Sequence, residues 1–257
     1  MPLGPLWAHE FWIDTTQFQV APGEELAASL RNGELFVGSD IAYSERNTSR
    51  FDLYFNGTET AITPRLGDSP ALQMTAPDTD GLLRIVHEAS PSTLTYTQWK
   101  KFLAFAEHKD FPTAAAEHIA KGYSQERFTE RYTRHSKALI AVGTGGGADA
   151  DTGMETEITA LENPYAPDYS GTMGIRLSYR GAPRSDAQIE VYERRADQPV
   201  TVTKYRTDAA GIARFPTTPG HDYLVDAVVL RPAPDAGETE KSPVWETAWA
   251  ALTFRVP

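Results

Sequence analysis
The chain of 257 residues contains no cysteine. That removes disulfides, thiolate nucleophiles and thiolate metal sites together, so any bound metal has to be held by nitrogen and oxygen. Positive charge is scarce: 24 Lys and Arg stand against 35 Asp and Glu, a formal net charge of -11. A field of that sign repels phosphate backbones and attracts cations, and no nucleic acid partner is expected. No apolar run approaches the roughly 20 residues that a membrane-crossing helix needs, so no membrane insertion of the mature chain is expected. Catalytic signatures are missing as well. There is no His-Glu-x-x-His and no Gly-x-Ser-x-Gly, and the glycine run at 143–147 is not followed by the Lys-Ser or Lys-Thr of a phosphate-binding loop. The reading is of a protein that is not an enzyme.

What is there is mainly β in pattern. Between residues 10 and 86 short β-type runs are punctuated by Pro22-Gly23, Asn32-Gly33 and Asn56-Gly57. Asn56-Gly57 is the clearest hairpin, because both residues accept the left-handed positions of a type I′ turn. Trp99, Phe102, Leu103, Phe105 and Ala106 then recur at helical spacing, with Thr95 and Gln98 arranged as a capping box. A second short helix follows Pro112 and ends at Gly122. Alternating runs return after the glycine-rich stretch, at 175–179, 187–193, 200–206, 212–215, 223–230 and 248–256.

The length suits two domains. The expected division is a remnant of a signal peptide at 1–8, an N-terminal β-sandwich at 9–155 with a helical insertion at about 96–122, and a C-terminal β-sandwich at 156–257. In the last of these, Thr207-Asp-Ala-Ala-Gly211 suits a tight turn, and Pro219-Gly-His-Asp-Tyr223 opens a strand much as a tyrosine corner does. This pattern resembles the transthyretin-like and carboxypeptidase-regulatory-like sandwich modules, which implies an Ig-like fold with those residues in structural roles.

Without cysteine, histidines are the best available metal ligands. If the apolar leader is removed after Ala8, His9 carries its α-amine and imidazole on one residue and can chelate through both, as in a histidine brace. A further imidazole would complete a site suited to Cu(II) or Ni(II). If the leader is retained, His9 is a polar residue ahead of a strand. His87 and Glu88 close an apolar strand at a sheet rim, where sites are built. His135 lies in Arg131-Tyr-Thr-Arg-His-Ser-Lys137, a run that reads equally as an anion-binding stripe or a solvated face. His108 suits a helix C-terminus, His118 has no partner at ligand spacing, and His221 belongs to the Pro-Gly-x-x-Tyr turn. Asp149, Asp151 and Glu155 are a fragment of a calcium loop that lacks its remaining acidic positions.

Ala8-His-Glu-Phe-Trp-Ile13, Arg65-Leu-Gly-Asp-Ser-Pro-Ala-Leu-Gln73, His87-Glu-Ala-Ser-Pro-Ser-Thr-Leu-Thr-Tyr96, Tyr132-Thr-Arg-His-Ser-Lys-Ala-Leu-Ile140 and Glu157-Ile-Thr-Ala-Leu-Glu-Asn-Pro-Tyr165 together resemble a bacterial periplasmic uncharacterised-domain family labelled nickel-uptake (NikM-like). The resemblance implies an exported, periplasmic, divalent-metal-binding accessory protein for uptake of nickel, cobalt or a similar ion (Ni, Co, Cu or Zn). It also implies a membrane metal-transport component as partner, and His9, His87 and His135 as ligands. The alternative reading is a non-catalytic ligand- or protein-recognition module of the cell envelope, with Trp12, Tyr96 and Trp99 lining a cleft. A third is a copper redox protein built on the brace.

Overall fold
Strand-forming runs broken by Gly and Asn build the first half of the chain. The computed structural model describes residues 9–239 and 241–257, so the expected leader remnant at 1–8 lies outside the described residues. β1 (Glu10–Asp14) and the short β2 (Gln19–Val20) precede the hairpin of β3 (Glu25–Glu34) and β4 (Val37–Ile41). β5 (Thr48–Phe55), β6 (Thr58–Ala61), β7 (Leu72–Thr75), β8 (Gly81–Ala89) and β9 (Ser92–Tyr96) follow. Helices α1 (Trp99–His108) and α2 (Ala114–Ala120) lead into the long β10 (Phe128–Val142). The rest comprises β11 (Thr156–Ala160), β12 (Thr172–Tyr179), β13 (Ala182–Pro183), β14 (Gln188–Arg194), β15 (Thr201–Arg206), β16 (Ile212–Pro216), β17 (Asp222–Pro232) and β18 (Trp245–Arg255). The fold is mainly β and sandwich-like, in line with the sequence pattern.

One large sheet serves both halves. Its strand order is β15-β14-β17-β18-β10-β8-β5-β6, and β2 and β9 also pair with β10. The halves join where β10 and β18 run parallel, from Glu130↔Trp245 to Ala138↔Thr253. A small sheet of β1, β3, β4 and β7 covers one face, and a second of β11, β12, β13 and β16 covers the other. β10 shows the consequence residue by residue. Leu139 and Ala141 enter the core with Ile158 and Ile175, whereas Ala138, Ile140 and Val142 enter the core with Ile13 and Leu26. A strand buried on both faces needs apolar side chains at every position, which is why 138–142 carries no polar residue.

The Asn56-Gly57 hairpin forms as the sequence indicates, with φ of 48° and 80° and Phe55 opposite Thr58. Asn32-Gly33 does not turn. It lies inside β3, and the chain reverses instead at Leu35-Phe36, both left-handed at φ 54° and 58°. Close packing explains the shift. A Cβ on Gly33 would lie 2.1 Å from the Val37 carbonyl oxygen, and one on Gly38 would lie 2.8 Å from the Trp12 ring. The glycines are spent on that approach, and the strained tip is held because Phe36 is fully buried against Trp12, Tyr192, Leu224 and Ala251. The Arg194 guanidinium lies 4.0 Å over the Phe36 ring.

The helices also differ from expectation. The proposed capping box is absent, since Gln98 is the N-cap and makes no side-chain cap bond. Thr95 and Tyr96 are drawn into pairing with Thr129 and Phe128. α1 covers strands from both halves of the large sheet, beside the first small sheet: Phe102 and Phe105 pack with Phe128, Val228, Trp245 and Trp249. α2 is pinned by His118, whose Nδ1 accepts from Trp245 Nε1 at 2.9 Å while its Nε2–H donates to the Ser124 carbonyl at 3.0 Å. In the second half, Asp208 Oδ1 accepts the Ala210 and Ile212 amides, and Tyr223 Oη accepts the Thr218 amide at 2.7 Å. The turn and the tyrosine corner are both present.

Candidate functional site
The three histidines singled out as ligands stand apart. His9 immediately precedes β1, is about half exposed, and its Nε2 lies 3.3 Å from Glu34 Oε1. His87 is 1% exposed, packed against the rings of Phe11 and Phe51 at 5.3 Å each, with Nε2 3.1 Å from the Thr48 hydroxyl. Burial, reinforced by the nearby His135, pushes its pKa down to about 3, so the ring is neutral. His135 Nδ1 donates to the Trp249 carbonyl at 3.0 Å, and its Nε2 lies 3.8 Å from Glu88 Oε2. His87 faces Phe51 while its neighbour Glu88 faces Arg50, so the two leave β8 on opposite sides. His135, on the Glu88 side, and His87 therefore flank the sheet rather than share one side of it.

That arrangement does not bring His9, His87 and His135 together as one set of ligands. Among the described residues no three His, Asp or Glu side chains converge as metal ligands. The calcium-loop fragment is occupied by cations of the protein itself: Asp149 by Lys137 at 3.0 Å, Asp151 by Arg176 at 2.9 Å, and Glu155 by Arg180 at 3.0 Å.

A cleft forms instead where the two covers of one sheet face leave a gap. The β1 sheet and α1 lie side by side, and between them is a cavity of about 290 Å³. Its floor is β10, whose alternation presents Glu130, Tyr132 and Arg134 on one face. Trp249, Phe105 and Tyr96 supply aromatic wall, and Lys101 and His9 stand within the lining. The Arg134 guanidinium lies over Tyr132 at 5.2 Å and over Trp249 at 5.0 Å, and donates to the His9 carbonyl. Burial presses its pKa below the ordinary arginine value. Glu130 is 3% exposed and accepts hydroxyl bonds from Tyr96, at 2.9 Å, and Thr247. Burial raises its pKa.

Behind the cleft is a buried charge cluster. Lys109 Nζ donates to Glu190 Oε2 at 2.6 Å and Asp226 Oδ2 at 2.9 Å, and lies 4.9 Å over Trp249. Tyr192 Oη donates to Glu10 Oε1 at 3.0 Å, and Glu10 Oε2 accepts the Leu35 amide at 3.1 Å. Burial and the neighbouring Asp226 push Glu10 up to about 7. The period-two spacing of Glu130, Tyr132 and Arg134 was the available sequence signal for the cleft. Of the aromatics expected to line one, Tyr96 does, whereas Trp12 is fully buried in the core and Trp99 packs on Phe102, Phe128 and His118.

Fold and cleft together define a mainly β, sandwich-like protein with an aromatic-walled cavity over a shared sheet. The chain belongs to the DUF4198 family, described as a domain of unknown function, whose model matches residues 6–231. No curated protein matches it. Among solved structures it aligns with a tetra-tandem repeat in the extending region of a large adhesion protein, at 12% identity and TM-score 0.23, over 95% of this chain and 49% of that one. It aligns with a Salmonella alpha-2-macroglobulin mutant at 10% identity and TM-score 0.23, over 98% of this chain and 15% of that one. A two-domain fibronectin type III segment of chicken tenascin aligns at 13% identity and TM-score 0.19, over 93% of this chain and 96% of that one. The chain thus spans about half the length of the first and a smaller part of the second.

Proposed function
We propose that this protein is a non-catalytic recognition module of the cell envelope that binds a small organic anion in the cleft between β1 and α1. The observation that supports this reading is Arg134. Its guanidinium lies 5.2 Å over Tyr132 and 5.0 Å over Trp249 on the cleft floor and has no carboxylate within 4.0 Å among the described residues, whereas Arg31, Arg50, Arg131, Arg194 and Arg255 each have one. A planar donor fork with spare N–H groups, set in an aromatic surround, is suited to a carboxylate carried on an apolar body. Assignment to the envelope rests on the resemblance of the Ala8-His-Glu-Phe-Trp start to that of exported proteins, and cell fractionation tests it. Binding is tested by calorimetric titration with phenylacetate. Arg134→Gln and Trp249→Ala should each weaken it at least tenfold, and equal affinity in wild type and both variants overturns the reading.

A second reading is favoured by one contact, His9 Nε2 to Glu34 Oε1 at 3.3 Å, which aligns an imidazole and a carboxylate across β1 and β3 at a half-exposed position. In that reading the protein captures nickel, cobalt or a similar divalent ion for a membrane metal-transport component. Removal of the leader would add the His9 α-amine, and Glu34 would take the part that the sequence assigned to His87 or His135. Titration with Ni(II), Co(II), Cu(II) and Zn(II) of the protein beginning at His9, beside a form one residue longer, tests it. Binding that is tight in the first and lost in the second supports it, and background heat in both removes it.

A further inference from the structure
A second cavity, of about 350 Å³, lies on the other side of the Tyr132 and Arg134 ridge, among β1, the 3₁₀ turn Glu45–Asn47 and the ends of β8 and β9. Its lining is unusual for this chain. Acidic residues outnumber basic ones 35 to 24 overall, yet no Asp or Glu lines this cavity, while Arg46 and Arg134 both do. Neither arginine has an ion-pair partner within 4.0 Å among the described residues. Two guanidinium groups with no carboxylate in contact, in a wall that no Asp or Glu lines, make this lining locally positive, although Asp226, Glu130 and Glu10 act on Arg134 from farther off.

The buried part of the wall has unmet hydrogen-bonding capacity. His87, 1% exposed, lines the cavity and its Nδ1 has no hydrogen-bond partner, nor does Asn32 Oδ1. A buried polar atom left unpaired costs about 1–3 kcal/mol, so such atoms mark places where a partner is missing. The Thr48 hydroxyl, 3.1 Å from His87 Nε2, fixes the tautomer when it donates to that nitrogen: the ring proton then resides on Nδ1. The neutral imidazole becomes an N–H donor, and the Asn32 amide can turn its NH2 group inward. Ser90 adds a hydroxyl to the lining. A divalent cation meets two guanidinium charges and no carboxylate here, which argues against His87 as a metal ligand.

We infer that the His87 cavity is a binding site for an oxyanion group, a phosphate, sulfate or carboxylate, held by Arg46 and Arg134 with His87 Nδ1–H and the Asn32 amide completing its shell. The site shares Asn32, Tyr132 and Arg134 with the aromatic cleft, whereas Arg46 and His87 belong to this cavity alone of the two. The test is a titration of the 15N-histidine-labelled full chain with inorganic phosphate, sulfate or acetate at constant ionic strength, following the ring nitrogens of His87 by long-range 1H–15N NMR. The expected result is a saturable shift of His87 Nδ1 with at least one of the three, weakened at least tenfold in Arg46→Gln and retained in Trp249→Phe. Which ions saturate separates a phosphate-type ligand from a carboxylate. Absence of a saturable His87 shift with all three overturns the inference, as does a shift unchanged in Arg46→Gln.

Discussion
Lys137 has no solvent exposure, and its ammonium is held by Asp149 at 3.0 Å, Glu157 at 2.8 Å and the Ala150 carbonyl at 3.2 Å. In the sequence it reads as one cation of a polar run. Its burial follows from the loop at 143–155 folding back over the central sheet, which no local pattern announces. Breaking a buried ion pair from one side typically costs 3–5 kcal/mol. Lys137→Met is therefore expected to lower the unfolding free energy by about 4 kcal/mol in urea titrations near pH 8. The loss should be smaller at pH 5, where protonation of the abandoned Asp149, whose pKa burial raises, relieves part of it.

Two other buried groups give stability opposite pH slopes. Glu10, pushed up from 4.5 to about 7 by burial and then by Asp226, holds an extra proton in the folded state between those values. Its contribution is present below 4.5 and is lost as pH rises toward 7, by on the order of 3 kcal/mol. His87, pushed down from 6.5 to about 3 mainly by burial, works the other way: its contribution is present above 6.5 and is lost as pH falls toward 3. Between 4.5 and 6.5 the two offset each other. Glu10→Gln should leave the His87 slope exposed, so that stability measured by denaturant titration rises with pH across that window. A flat profile in the variant would contradict the His87 assignment, and a profile of the same slope in variant and wild type would contradict that of Glu10.

At the scale of elements, the aromatic period of α1 was readable because a helix must put residues three and four apart on one face, whatever it packs against. The partner surface was not readable. Phe102 packs on Trp245, Phe128 and Tyr96, two of them more than 20 positions away or on strands whose neighbours are set by the whole sheet. Phe102→Ala should destabilise by about 3–5 kcal/mol and raise the exposure of Trp245 and Trp249 to fluorescence quenchers, since α1 is their cover. The hairpin of β3 and β4 teaches the opposite lesson. Asn32-Gly33 is a strong turn signal, but the demand for close backbone approach beside Trp12 outweighs it and moves the reversal to a Leu-Phe pair. Phe36→Ala, which removes the plug, should cost about 3–5 kcal/mol by denaturant titration.

At the scale of the molecule, most C-terminal strands were legible from their alternation, and the Asp208 turn and Tyr223 corner from their chemistry. The joining of the halves was not, because the pairing of β10 with β18 is parallel and involves residues 115 positions apart, such as Arg131 and Glu246. The candidate cleft was hidden for the same reason: its Glu130 and Arg134 come from β10, and Trp249 comes from β18. A sheet common to both halves predicts one cooperative calorimetric transition, with calorimetric and van't Hoff enthalpies equal. Two resolved transitions would mean that the halves melt independently.

The parallel partnership of β10 and β18 also orders events in time. β10 emerges from the ribosome with the edge that β18 will cover still open, and it stays open until more than a hundred further residues have been made. Closing so long a loop is slow, and an open, partly apolar strand edge is a template for aggregation while it lasts. The nascent chain thus carries an aggregation-prone edge until residue 255 is available, and refolding from denaturant should lose yield steeply as protein concentration rises.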